Sequence, residues 1–300
     1  MSNIALLALQ IGVLVLFVSC CLAYRWRVVH EQDEQLAAHL LGAQTLLQLV
    51  MCIQQHRGMA SAWLGGDERF ERRLEEKAAE VVAKFPALRR LARREAQRQM
   101  PCFTLNDVAL LMHAWQEVRE ALPGCSVEQS LARHSYLITQ LLSWLADYGE
   151  IRLVPHVAPR CLGALRNHVA RLPALAECLG QMRALGMGIV VRKRCSAVAR
   201  VRMMYLAGRA EMLLRQARQG APALPATVDA EKEVLFLTRL VRTRMLQADG
   251  ITVETLDYYT TATAVIDQVF AWAVASGEAV ISPEKDGEHT HVIADRTASV

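Results

Sequence analysis

Two arginines stand in matching surroundings. Cys52-Ile53-Gln54-Gln55-His56-Arg57 and Cys178-Leu179-Gly180-Gln181-Met182-Arg183 share Cys, Gln and Arg in register, 126 residues apart. Gly58 follows the first arginine, and Ala184 and Gly186 follow the second. Small residues beside an arginine let another helix approach closely and bury the guanidinium. A buried guanidinium needs a partner, and its planar fork of donors fits a carboxylate or a small oxyanion better than a point charge would. Two alternatives stay open at this point: each arginine pairs with an internal acid, such as Glu177 one and a half turns before Arg183, or simply lies at the surface. His56 could add a donor, although a single histidine on a helix is more often a satisfied or solvated residue. Arg242 and Arg244, upstream of Tyr258-Tyr259, could supply a further positive charge or form a solvated face.

Nothing else in the sequence has the arrangement of a catalytic centre. There is no glycine-rich phosphate loop, no H-E-x-x-H, no nucleophile elbow and no cysteine pairing with zinc spacing. His289-Thr290-His291 is the one close histidine pair. The chain is therefore expected to bind or sense rather than catalyse, with no cofactor and no metal.

The elements that must position these arginines are helical. Leu36, Leu40, Ala43, Leu47, Val50 and Ile53 recur at three- and four-residue intervals, predicting an amphipathic helix over Glu31 to Leu64. Gly65-Gly66 should end it, with Asp67 capping the next helix. That helix is expected to be kinked or broken at Phe85-Pro86 and to continue towards Met100. Thr104 and Ser126 are N-caps for helices over Leu105 to Leu122 and on to Tyr148. Further helical stretches follow around Arg160 to Val169, Leu175 to Val191, Ser196 to Gln219, Ala230 to Gln247 and Val253 to Ala275. From Ser276 the sequence is polar and aperiodic, which predicts a flexible tail.

A second internal match supports duplication. Ile138-Thr139-Gln140-Leu141-Leu142-Ser143-Trp144 parallels Ile266-Asp267-Gln268-Val269-Phe270-Ala271-Trp272, sharing Ile, Gln and Trp at an offset of 128 residues. Isoleucine and tryptophan six apart, with apolar residues between them, describe a buried stripe, so this match concerns packing.

Ile4 to Tyr24 carries no charge and has the length of a helix crossing a bilayer. Met1-Ser2-Asn3 lacks the basic start of a cleaved signal peptide, so the segment is expected to be retained as an anchor. Arg25 and Arg27 follow it directly, and the positive-inside rule then keeps the C-terminal body in the cytoplasm. The eight cysteines are irregularly spaced, which fits reduced thiols in a cytosolic body rather than a disulfide framework. The net charge of +4 is modest, and the basic run Arg89-Arg90-Leu91-Ala92-Arg93-Arg94 has no interleaved aromatics, so nucleic-acid binding is not expected.

At its motifs the sequence resembles the bacterial nitrate- and nitrite-sensing (NIT) domain family. The resemblance rests on Gln54-Gln55-His56-Arg57-Gly58, on Gly180-Gln181-Met182-Arg183-Ala184, and on Tyr258-Tyr259-Thr260-Thr261-Ala262-Thr263-Ala264-Val265-Ile266-Asp267. It covers roughly Gln35 to Ala275. It implies a pair of up-down four-helix bundles binding a small oxyanion between them through Arg57 and Arg183. A third arginine near the penultimate helix is also implied, for which Arg242 is preferred over Arg244. His56 departs from the charged residue common at its position in the family. Family members usually carry an output domain, and none is expected after Ala275, so a protein partner should read the signal.

The expected architecture is all-α, an N-terminal transmembrane helix followed by two up-down four-helix bundles related by internal duplication. The divisions are 1–30 for the anchor and juxtamembrane segment, 31–149 and 150–275 for the two bundle halves, and 276–300 for the tail. The expected function is a membrane-anchored anion sensor, with Arg57, Arg183, Arg242 and His56 as ligand-binding residues. The alternative is a helical adaptor at the membrane that has lost its ligand. A homodimer through the anchor and first helix is allowed, although no strict heptad specifies it.

Overall fold

The structure is a computed structural model that describes residues 2–219, 225–246 and 250–281. Among these residues the ordered elements are all helical. Helix α1 spans Ser2–Leu64 without a break. Its large apolar side chains from Val13 to Phe17 are exposed, whereas Leu40, Leu46, Leu47, Val50 and Ile53 are buried. One helix thus joins a lipid-compatible stretch to the protein core. Gly66, at φ +100°, ends α1 in a conformation that a side chain would resist.

Helices α2 (Glu71–Glu95), α3 (Leu105–Ala121) and α4 (Val127–Tyr148) pack with α1. Asp67 accepts the Arg69 N–H at the turn before α2. Thr104 forms a reciprocal capping box with Asp107, and Ser126 forms one with Gln129, so the two expected caps are present. Helix α2 runs through Pro86 without interruption. The break expected there does not occur because Pro86 and Val82, whose carbonyl loses its partner, both face solvent.

The second group comprises α5 (Leu162–Arg166), α6 (Leu172–Val191), α7 (Ala197–Gln219), α8 (Pro225–Leu240) and α9 (Thr255–Ile281). Helices α5 and α6 are continuous through a π-helical turn at Asn167–Arg171. The wider turn takes Pro173 into the start of α6, where the sequence suggested a separation. It also presents two buried side chains outward. Asn167 Nδ2 donates to the Ala217 carbonyl at 2.8 Å, and His168 Nδ1 lies 2.7 Å from the Ala273 carbonyl, tying this turn to α7 and α9.

Helix α9 extends past Ala275 to Ile281, so the boundary expected at Ser276 falls inside a helix. Ser276 and Val280 are buried there, which is why the helix continues. The rest of the expected tail, including His289 and His291, lies outside the described residues, as does Gln247.

Helix α6 packs on α9 and α7 within its group, and crosses to α1 and α4 of the first group, while α9 also meets α1. One apolar core runs through both groups. Trp144 stacks on Phe103 with ring centroids 5.0 Å apart, and Trp272 is fully buried, so both members of the tryptophan match are core residues. Among the described residues, three helical stretches are long and apolar enough to cross a membrane by length and composition: Gly12–Leu64, Pro159–Val191 and Thr255–Ile281. In Pro159–Val191 most of the apolar window is buried inside the protein.

Candidate functional site

Arg57 and Arg183 are both buried where α1 crosses α6. Gln54 and Arg57 lie one turn apart on α1 and so share a face. Two glycines set the approach of the two helices. A Cβ placed at Gly58 would lie 2.6 Å from Arg183 Nη2, and one placed at Gly180 would lie 2.5 Å from Arg57 Nη2. Each guanidinium therefore occupies the space opened by the glycine in the other motif.

The partners of the two arginines differ. Arg57 Nη1 and Nη2 donate to Glu177 Oε1 and Oε2 at 2.7 and 3.0 Å, a planar two-pronged pair. Arg57 Nη1 also donates to Ser135 Oγ on α4 at 2.9 Å. Gln54 Nε2 donates to Glu177 Oε2 and Gln181 Nε2 to Oε1, each at 2.8 Å. The Glu177 carboxylate is thus held by four donors from both halves of the chain. The internal acid named as a partner for Arg183 instead crosses to Arg57. The reason is helical geometry: six residues separate Glu177 from Arg183, which turns the two side chains away from one another.

Arg183 has no carboxylate within ion-pair distance among the described residues. Nη1 donates to Thr263 Oγ1 at 2.8 Å, and Nη2 donates to the Gln54 carbonyl at 3.1 Å. The guanidinium carbon stands 5.5 Å from the centre of the Tyr259 ring, a cation–π contact. Burial lowers the Arg183 pKa from its ordinary value, with the charge of Arg57 acting in the same direction against Tyr259 and Asp267. Asp267 is itself pushed up by burial, with Arg183 opposing. Arg57 Nε, Arg183 Nε and Gln54 Oε1 are buried without a hydrogen-bond partner. Unpaired polar atoms concentrated at one buried spot mark a place where packing was not the governing requirement. Chemically, the crossing offers excess positive charge and planar donor forks, the means of holding a small anion.

A cleft borders α9 at Tyr259. Tyr259 is half-buried and lines this cleft of about 250 Å³ with Phe70, Met187 and Thr255, and its ring meets Phe70 edge-on at 5.4 Å. Tyr258 points the other way. Its hydroxyl donates to the Met182 carbonyl at 2.7 Å, and its ring fills the space left by Gly186.

His56 is buried but does not join the arginines. Its Nδ1 lies 2.8 Å from His134 Nε2, and its ring meets Trp115 edge-on at 4.8 Å. His134 Nδ1 lies 2.7 Å from the Ser130 carbonyl, so that nitrogen carries the proton and Nε2 accepts from His56. Burial holds both rings neutral, lowering His56 to about 2 and His134 to about 4. Arg242 lies in a π-helical turn, Val241–Met245, and forms a half-exposed ion pair with Glu211 on α7 at 2.9 Å. The structure therefore brings Arg57 and Arg183 together and leaves His56 and Arg242 in other contacts.

Gln54, Ser135, Tyr259 and Thr263 join the arginines without having been singled out as binding residues. Gln54, Tyr259 and Thr263 sit inside the quoted motifs, which was the available signal. Ser135 belongs to no motif.

A family model described as nitrate and nitrite sensing matches residues 48–277. No curated protein matches the chain. Among solved structures, that of the NasR transcription antiterminator is similar, with a TM-score of 0.68 and 19% identity, covering 93% of this chain and 77% of that one. The likeness is one of fold. A family match over more than half of the length, on the stretch that contains both arginine motifs, makes this chain a member of the NIT family of nitrate- and nitrite-sensing domains.

Proposed function

We propose that this chain is a membrane-anchored sensor in which nitrate or nitrite binds where α1, α6 and α9 meet, held chiefly by Arg183 and Arg57. The observation that carries this reading is the pair of buried guanidiniums set into each other's glycine motif, one of them with no carboxylate at ion-pair distance among the described residues. A buried, uncompensated cation costs several kcal/mol, which an anion at the site would offset. The matched motifs support two bundle halves, 31–149 and 150–275, descended from one duplicated unit, with the site formed between them. Arg242 and His56 stay off the anion: Arg242 pairs with Glu211 beyond the end of α8, and His56 packs against His134 and Trp115.

Signalling runs along α1. Tyr24 and Arg57 lie on one unbroken helix, about 50 Å apart at the usual rise per residue. A shift of α6 against α1 on anion binding is therefore passed mechanically to the bilayer, where a protein partner reads it. The anchor is Ile4 to Tyr24 alone. Helix α6 carries Glu177 and Arg183 within the protein core, and α9 packs against it, so their apolar character serves the interior. Arg25 and Arg27 orient the body towards the cytoplasm.

The test is a nitrate and nitrite titration of the full chain in detergent micelles, read by thermal unfolding. Saturable stabilisation at millimolar anion, lost in Arg57→Ala and in Arg183→Ala, is the expected result. An unfolding temperature indifferent to both anions would remove the sensor reading. It would favour the ligand-free adaptor instead, for which the carboxylate already seated on Arg57 is the specific support. Labelling Cys125 from either side of sealed vesicles reports the orientation.

A further inference from the structure

Glu177 is an unexpected occupant. Its two oxygens accept from Arg57 Nη1, Arg57 Nη2, Gln54 Nε2 and Gln181 Nε2 at 2.7 to 3.0 Å, and its side chain is 8% exposed. A carboxylate is a planar, singly charged group with two oxygens. Nitrate and nitrite share that shape and charge, so the donor set around Glu177 is the set that a planar monoanion would use. We propose that Glu177 is an internal stand-in for the ligand, holding the Arg57 fork until a planar monoanion exchanges for it. This rests on the sensor reading and adds its specificity and its mode of switching.

Three observations carry it. The pairing crosses between the halves of the chain, from α6 to α1, whereas a purely local ion pair would join residues one turn apart. Only one of the two buried arginines is neutralised: Glu177 serves Arg57, and Arg183 has no carboxylate at ion-pair distance among the described residues. Exchange of a planar monoanion for the Glu177 carboxylate therefore leaves the charge of the crossing unchanged, and Arg183 is a second cation that favours an incoming anion. The space is also tight, because neither Gly58 nor Gly180 leaves room for a methyl group against the facing guanidinium. Tetrahedral sulfate and phosphate lack the planar two-oxygen shape that this slot holds.

Exchange also gives a switch. The edge of the slot is close to solvent, since Gln181 and Ser135 are half-buried. A displaced Glu177 carboxylate must reach water to stay charged, and it does so by a rotation of α6 against α1. The ligand thus acts through its differential affinity for two arrangements of these helices, the requirement for any ligand-driven change.

The experiment uses the full chain in detergent micelles at constant ionic strength, with unfolding temperature followed against nitrate, formate and sulfate. The proteins are wild type, Glu177→Gln, Glu177→Ala and Glu177→Ala combined with Arg57→Ala, each checked for helical content by circular dichroism. Glu177→Gln retains the shape and removes the competing charge, so it serves if Glu177→Ala fails to fold. The expected result is an apparent nitrate affinity raised by about tenfold or more when the competitor is removed. Formate should act like nitrate, sulfate should not act, and the double variant should lose the gain.

Equal nitrate affinity in wild type and in the folded Glu177 variants overturns the exchange while leaving the sensor reading intact. A wild type that ignores nitrate beside a Glu177→Ala protein that binds it through Arg57 overturns both the exchange and the sensor reading, because Glu177 then stays seated on Arg57. No anion response in any folded variant overturns both, and stabilisation by sulfate as strong as by nitrate overturns the specificity.

Discussion

Replacing Arg183 by methionine should make the anion-free protein more stable, although it deletes a buried side chain with two hydrogen bonds. The effective penalty for burying one charge is several kcal/mol after local relaxation. Against it stand the bonds to Thr263 Oγ1 and the Gln54 carbonyl, each worth about 1.5–3 kcal/mol as charged hydrogen bonds, and about 1–2 kcal/mol from the Tyr259 ring. The groups left behind cost little. The Gln54 carbonyl lies within α1 and keeps its helical partner, and the Thr263 hydroxyl can turn to its own helix. Methionine fills most of the vacated volume and restores apolar packing. The two bonds and the ring sum to about 4–8 kcal/mol and so roughly offset the burial penalty, while burial of the methionine side chain, about 1.5–3 kcal/mol, leaves a net gain of about 1–2 kcal/mol, or about 2–8 °C in unfolding temperature for a domain of this size. Nitrate should no longer raise it. The assay is thermal unfolding of the full chain in micelles, in a buffer whose anions are too bulky to enter. A fall of several degrees in Arg183→Met without anion would refute the reasoning, because it would mean the guanidinium is fully compensated in the native fold.

Three further outcomes follow from the same geometry. Gly58→Ala sets a methyl group 2.6 Å from Arg183 Nη2, so it should shift the guanidinium and weaken nitrate binding by about tenfold or more, measured by titration. Arg242→Ala should leave nitrate binding unchanged and alter stability by less than about 1 kcal/mol, because its pair with Glu211 is half-exposed. Stability should fall as the pH drops below about 6.5, because His56 and His134 have folded pKa values of about 2 and 4 and the unfolded chain binds protons first. The His134 contribution alone, about 3 kcal/mol, is fully present above 6.5 and is lost by the time pH 4 is reached. His39 and His168, also lowered by burial, add to the same window, whereas the depressed carboxylates of Asp67, Glu95 and Glu128 act only below about 4.5. Urea unfolding at pH 7.5, 6 and 5 measures the slope, which the His56→Leu, His134→Leu double variant should flatten.

The sequence by itself determined the helical class, the turn at Gly65-Gly66, the caps at Thr104 and Ser126, the buried tryptophan stripe and the family. These depend on spacing and on local backbone chemistry, which a single chain displays directly. It also marked Arg57 and Arg183, through a motif repeated at one offset. Only the tertiary structure decided what those arginines face. The pairing of Glu177 with Arg57 joins residues 120 positions apart, and the reciprocal seating of each guanidinium on the other motif's glycine depends on how α1 crosses α6. The same holds for Pro86 and Pro173, whose positions suggested breaks, until solvent at Val82 and a π-helical turn at Asn167–Arg171 absorbed the lost hydrogen bonds. Local rules act within a turn or two of helix. Whether a buried charge is matched or left in excess depends on which helices meet, and no local pattern carries that.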